Sequence, residues 1–107
     1  MEQAIQKIFQ ESITVKQDTL KANLDKIKTA TDEIITALKN NRKLFFFGNG
    51  GSAADSQHIA AEFIGRFQKE RRSLPAIALT TDTSILTALG NDYGFDIVFA
   101  RQLQGLG

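Results

Sequence analysis

The stretch LFFFGNGGSAADSQHIAAEF, residues 44–63, decides how this chain is read. Four large apolar residues follow one another without polar alternation. That pattern suits a central parallel strand buried on both faces, and residues 43–47 are read as such a strand. Gly48, Asn49, Gly50 and Gly51 then break the run, and glycines let the chain turn tightly. Ser52 is placed as the N-cap of a helix over residues 52–67. A strand that ends in such a turn and opens a helix gathers free backbone N–H groups at one point, where the helix dipole favours negative charge. In an open α/β sheet this is the carboxyl end of a strand, where ligands bind. The loop is therefore a candidate site for an anionic or polar ligand. The alternative is a plain strand-to-helix turn, and three glycines with an asparagine in four residues weigh against it.

Two phosphate-binding patterns can be compared with the loop. GNGGSA fits the loose dinucleotide pattern G-x-G-x-x-G/A, with Asp82 as the acid at the end of the next strand. However, Asp82 lies more than 30 residues beyond the loop, where the pattern expects roughly 20. The P-loop is excluded, because no Gly-Lys-Ser/Thr follows the glycines.

Behind the loop the helix carries the only histidine of the chain, His58, and Glu62 four residues later. At about 100° per residue, His58, Glu62, Asp55 and Arg66 share an arc of about 80°. Ala53, Ser56, Ile59, Ala60, Phe63, Ile64 and Phe67 fall beside and opposite it. The helix should bury one face and present a polar stripe. At this spacing an imidazole and a carboxylate can point at one atom, as two ligands of a divalent metal such as zinc. Glu62 could equally serve as a general base near the loop, or the stripe could be plain solvated surface.

Downstream, PAIAL at 75–79 is a second buried strand. Asp82 can cap a helix over 83–89 that stops at Gly90. NDYG at 91–94 reads as a loop, followed by a helix over 96–104 with Phe95, Phe99 and Leu103 on one side. Asn91 and Asp92 are a third candidate feature, although their residue types also suit a C-cap and turn. Strand, helix, strand, helix is the signature of right-handed βαβ units in a parallel sheet.

Residues 1–41 contain neither proline nor glycine. Ile5, Phe9, Ile13, Leu20, Leu24, Ile27, Ile34 and Leu38 recur at helical spacing. Thr29, Thr31 and Asp32 are candidate caps, so two helices are expected here. This is more amphipathic helix than a small core needs, so the stripe either covers the rest of the domain or packs in part against another subunit. The net charge of +1 gives no reason to propose nucleic acid or an anionic membrane as partner. No apolar run approaches the roughly 20 residues of a membrane span. The lack of cysteine excludes disulfides and fits a reducing compartment, and the N-terminus has no apolar signal region, which makes the cytoplasm the expectation. Two parallel strands leave faces and edges uncovered. Either they pair with another chain or the sequence stops partway through a larger domain, and the second is the expectation.

Taken together, FFFGNGGSAADSQHIAAEFIGRF, ERRSLPAIALTTD and LGNDYGFDIVFARQL resemble the phosphoheptose isomerases of the sugar isomerase (SIS) superfamily. The resemblance is strong over 43–107 and looser over the N-terminal helices. It implies an α/β fold, a three-layer parallel sheet flanked by helices, with residues 1–107 the N-terminal part of one SIS domain. Residues 1–41 would be its helical N-terminal segment and 42–107 its first strand–helix units, about the first half of the domain. The implied reaction interconverts sedoheptulose 7-phosphate and D-glycero-D-manno-heptose 7-phosphate through an enediol(ate). It would be the first step of activated-heptose synthesis for a lipopolysaccharide core or capsule.

By the same resemblance Asn49, Gly50, Gly51, Ser52, Glu62, Asn91 and Asp92 would contact substrate. His58 and Glu62 would bind one zinc ion whose other ligands lie outside this chain, and Glu62 would act as the base. The family's phosphate-binding Ser/Thr-rich loop and its distal Gln/His helix have no counterpart within 107 residues, so the chain by itself is expected to be inactive. The resemblance further implies a homotetramer with sites at subunit interfaces. A non-catalytic SIS paralogue that binds the bacterial replication initiator shares part of the pattern, and so is a rival alongside a dinucleotide-binding protein. Gly51 and Glu62 favour the isomerase.

Overall fold

In the computed structural model, which describes residues 1–107, the elements run α1 (Glu2–Lys39), β1 (Leu44–Phe46), α2 (Gly51–Ile64), β2 (Ala76–Ala78), α3 (Thr83–Asp92), a 3-10 turn (Phe95–Ile97) and α4 (Val98–Leu106). The two strands pair in parallel with Leu44 opposite Ala76 and Phe46 opposite Ala78. The ladder is prolonged at both ends, where the Leu44 amide donates to the Pro75 carbonyl and the Leu79 amide to the Phe46 carbonyl, each at 2.9 Å. Helix α2 is the crossover and packs on both strands. Its buried residues are small, Ser56 and Ala60, which lets the helix lie close to the equally small Ala76. Phe63 stacks on Phe46 with ring centroids 5.8 Å apart. The expected α/β arrangement is therefore present.

The core centres on Leu79 at the end of β2 and Val98 at the start of α4, 1% and 0% exposed. Gln102 is buried beside them. Its side-chain amide donates to the carbonyls of Leu79 (2.9 Å) and Val98 (3.1 Å), so a polar group in the core is left with both donors satisfied. Phe99 packs against Phe47 at 5.2 Å and edge-on to Phe95 at 6.3 Å, which puts the expected apolar side of this helix to use.

Contact density divides the chain into Met1–Ile35 and Thr36–Gly107. The first unit is helix alone, and no residue of α1 is buried. The break expected near Thr29 is absent. The hydroxyls of Thr29 and Thr31 donate to the carbonyls of Asp25 (3.0 Å) and Ile27 (2.8 Å), one turn back. Lys28 pairs with Asp32 at 3.1 Å along the helix surface. Residue types that can start a helix are thus absorbed within one, since no glycine or proline interrupts the ladder. α1 ends instead at Lys39, and the chain leaves it through Asn41, whose φ is +55°. The Arg42 amide reaches the Ala37 carbonyl (2.9 Å) and the Asn41 amide the Leu38 carbonyl (3.2 Å), a Schellman closure with asparagine in the left-handed position.

Other helix boundaries move as well. α2 starts at Gly51, with Gly50 as its cap residue and no side-chain cap, so Ser52 lies in the first turn instead of capping it. α2 ends at Ile64 rather than 67, with the Gly65 amide closing on Ala61 at 2.8 Å. α3 begins under the Asp82 cap as expected, the carboxylate accepting from the Ile85 amide at 2.9 Å, but runs through Gly90 to Asp92. An interior glycine weakens a helix by about 1 kcal/mol without breaking its ladder. The chain turns only at Gly94, where φ is +106° and the amide still reaches the Gly90 carbonyl at 3.2 Å. A 3-10 turn therefore precedes α4, which starts at Val98. No helix is long and apolar enough to cross a membrane.

Candidate functional site

The glycine turn leaves β1 at its carboxyl end and opens α2. Each glycine has a different reason to be there. A Cβ on Gly48 would lie 2.6 Å from the Ser52 Cβ and 2.9 Å from the Ser52 carbonyl oxygen, so the first turn of α2 folds directly over it. Gly50 has open space around it but adopts φ +57°, ψ −122°, which a side chain disfavours. Gly51 has neither constraint: nothing lies within 4 Å of its ideal Cβ and its φ is not positive. Within the turn the Ser52 amide donates to the Asn49 carbonyl (3.0 Å) and the Ala53 amide to Gly50 (3.1 Å), while the amides of Gly50 and Gly51 enter none of its hydrogen bonds. Asn49, Gly50, Gly51 and Ser52 are all exposed. Two amides at a helix N-terminus are thus left without a partner in the chain, and the Ser52 amide is not one of them.

His58 and Glu62 stand on the exposed face of α2. The Nε2 of His58 is 3.4 Å from Oε1 of Glu62, and their side chains are 75% and 36% exposed. That distance is long for a hydrogen bond. It matches two donors about 2.0–2.1 Å from one tetrahedral zinc, which lie about 3.3 Å apart. The pair therefore fits two positions of a zinc site. No group of three or more His, Cys, Asp or Glu residues gathers anywhere in the chain, so a complete ligand set is not formed by these residues alone.

The pair lines a cavity of about 510 Å³ with Ile59, Phe63, Phe67, Arg71 and Leu74. The glycine turn is not part of that lining. His58 follows Gly51 by seven residues, about 10 Å along the helix axis, which separates the two features. They are nevertheless on one stripe, because seven residues bring the helix back to within about 20°. Asn91 and Asp92 are exposed in the last turn of α3 and do not line the cavity either.

Two side chains that the sequence did not single out shape this region. Gln57 donates to the Thr80 hydroxyl at 3.3 Å and ties α2 to the carboxyl end of β2. Arg71 places its guanidinium at the C-terminus of α2. Nη2 donates to the Glu62 carbonyl at 2.7 Å, and Nη1 lies 3.0, 3.1 and 2.9 Å from the carbonyls of Phe63, Gly65 and Arg72. The only signal of this in the sequence is a pair of arginines shortly after the helix end, where cations complement the dipole. Asp82, the acid a dinucleotide would need, is engaged as the N-cap of α3.

Residues 8–106 match the SIS domain family. The chain is 59% identical over 106 residues to the phosphoheptose isomerase of Aquifex aeolicus, an alignment covering 99% of this chain and 56% of that protein. It is 70% identical over 80 residues to that of a Nitratiruptor species, covering 75% of this chain and 43% of the relative. Among solved structures, the phosphoheptose isomerase of Neisseria gonorrhoeae superposes with TM-score 0.88 at 46% identity, over 99% of this chain and 54% of that one. The enzyme from Francisella tularensis gives 0.90 at 39%, over 98% and 55%. The chain spans about half the length of the curated relatives it matches.

Proposed function

Because this chain belongs to the SIS domain family, we propose that it supplies the glycine turn and the base of a sugar-phosphate isomerase, as the N-terminal part of one SIS domain. The observation that carries this reading is the i, i+4 pair of His58 and Glu62, 3.4 Å apart on the helix that the turn opens. The substrate pair is sedoheptulose 7-phosphate and D-glycero-D-manno-heptose 7-phosphate, by analogy with relatives named phosphoheptose isomerase.

A ketose–aldose exchange needs a carboxylate that takes a proton from one carbon and returns it to its neighbour, and donors for the oxygen that gains charge. Glu62 is the carboxylate. The unpaired amides of Gly50 and Gly51, with the Asn49 side chain and Ser52 beside them, bind the polar part of a ligand lying along the stripe towards His58. Asn91 and Asp92 contact the sugar from α3. Zinc held by His58 and Glu62, with ligands from outside these residues, would supply Lewis acidity at the carbonyl. The working form is a cytoplasmic homotetramer, with part of the exposed apolar stripe of α1 against other subunits.

The test is Glu62→Gln in the full-length protein. Loss of the proton carrier lowers kcat by about 100-fold or more while assembly is kept. Unchanged turnover removes Glu62 as the base. His58→Ala should lower the zinc retained after dialysis, read by elemental analysis, and retention at the wild-type level removes His58 as a ligand.

A further inference from the structure

Arg71 has no place in the chemistry just described, yet its guanidinium gathers more carbonyls than any other side chain in the molecule. The last turn of α2 leaves carbonyls without helical partners, as every helix end does. The Gly65 amide takes Ala61 (2.8 Å) and the Leu74 amide takes Phe63 (3.0 Å). The Glu62 carbonyl is reached only by Arg71 Nη2, at 2.7 Å, and the Gly65 carbonyl only by Nη1, at 3.1 Å. Glu62 and Gly65 are thus the residues whose carbonyls depend on this guanidinium alone, and Glu62 has the shorter contact. Arg71 also lines the same cavity as His58 and Glu62 and is half-buried.

From this geometry we infer that Arg71 is a positioning residue for Glu62: by capping the C-terminus of α2 it fixes the backbone from which the reactive carboxylate projects. The inference rests on the isomerase reading above. A planar fork with several N–H donors can span these carbonyls, and a lysine ammonium cannot reach them all from one point. The charge is also of the sign that the helix C-terminus favours. Misplacement of a catalytic group by about 1 Å costs about 100-fold in rate, so a turn that is merely loosened is enough to register in kcat.

The experiment uses the full-length protein with Arg71→Lys, which keeps the charge and the aliphatic stem, and Arg72→Lys as the exposed neighbouring control. Activity on sedoheptulose 7-phosphate and amide hydrogen exchange are both measured. For Arg71→Lys the expected result is a fall in kcat of about 10- to 100-fold with little change in KM. Exchange should rise at Gly65 and Leu74 but not at Ala60. Added guanidinium in the millimolar range should restore part of the activity of Arg71→Ala. Arg72→Lys should match the wild type in every respect. Wild-type kcat in Arg71→Lys despite faster exchange overturns the positioning role, and unchanged exchange overturns the cap itself. A wild type that does not isomerise sugar phosphates overturns the functional reading and the catalytic half of this one, while exchange still judges the cap.

Discussion

The two ends of α2 are built in opposite ways. At the N-terminus there is no side-chain cap, the turn is shaped by glycines, and two exposed residues keep unpaired amides. At the C-terminus the Gly65 amide takes the Ala61 carbonyl, and Arg71 with the Leu74 amide takes up those of Glu62, Phe63 and Gly65. A closed end holds a side chain still, and an open end leaves its hydrogen-bonding capacity for something else. The same helix therefore carries a fixed carboxylate near one terminus and a free donor set at the other.

Substitutions at each end can break this contrast, in decreasing order of effect. Gly48→Ala should be the most damaging, since its Cβ meets backbone as well as the Ser52 side chain. A loss of about 2–3 kcal/mol is expected, read as a lower urea midpoint. Arg71→Ala should cost about 2 kcal/mol through several charge-assisted hydrogen bonds, lowering the thermal midpoint by several degrees. Gly50→Ala has room for the methyl group but not the backbone angle, and about 1 kcal/mol is expected from the same melt. Gly51→Ala sharpens the comparison most. The fold asks nothing of glycine there, so stability should shift by less than about 0.5 kcal/mol, while a methyl group beside the unpaired amides should raise KM. Wild-type KM in that variant would remove the turn from the ligand site.

Much of the frame was legible in the sequence because its signals are local. LFFF and PAIAL are unbroken apolar runs, the glycine cluster is an unambiguous turn, and Asp82 is a cap by type and by position. The spacing of His58 and Glu62 placed them on one side of a helix without further information. What could not be read depends on competition between equal local options. Thr29 and Thr31 can cap a helix or bond back into one, and only the uninterrupted ladder decides. Gly90 could have ended α3, but the stronger stop is the positive φ at Gly94. The Arg71 contacts span up to nine residues and join a side chain to backbone carbonyls, a relation that no periodicity encodes. The separation of the pair from the turn follows from helix rise alone, once the starting residue of α2 is placed at Gly51.

Gln102 has a consequence for the lifetime of the protein. Its carboxamide is the fastener between the end of β2 and α4, and it works because nitrogen can donate twice. A carboxylate in its place would put an anion against two carbonyl dipoles in the buried core. Gln102→Glu should therefore free α4 from the core and shorten the time the protein survives heating, read as a lower thermal midpoint.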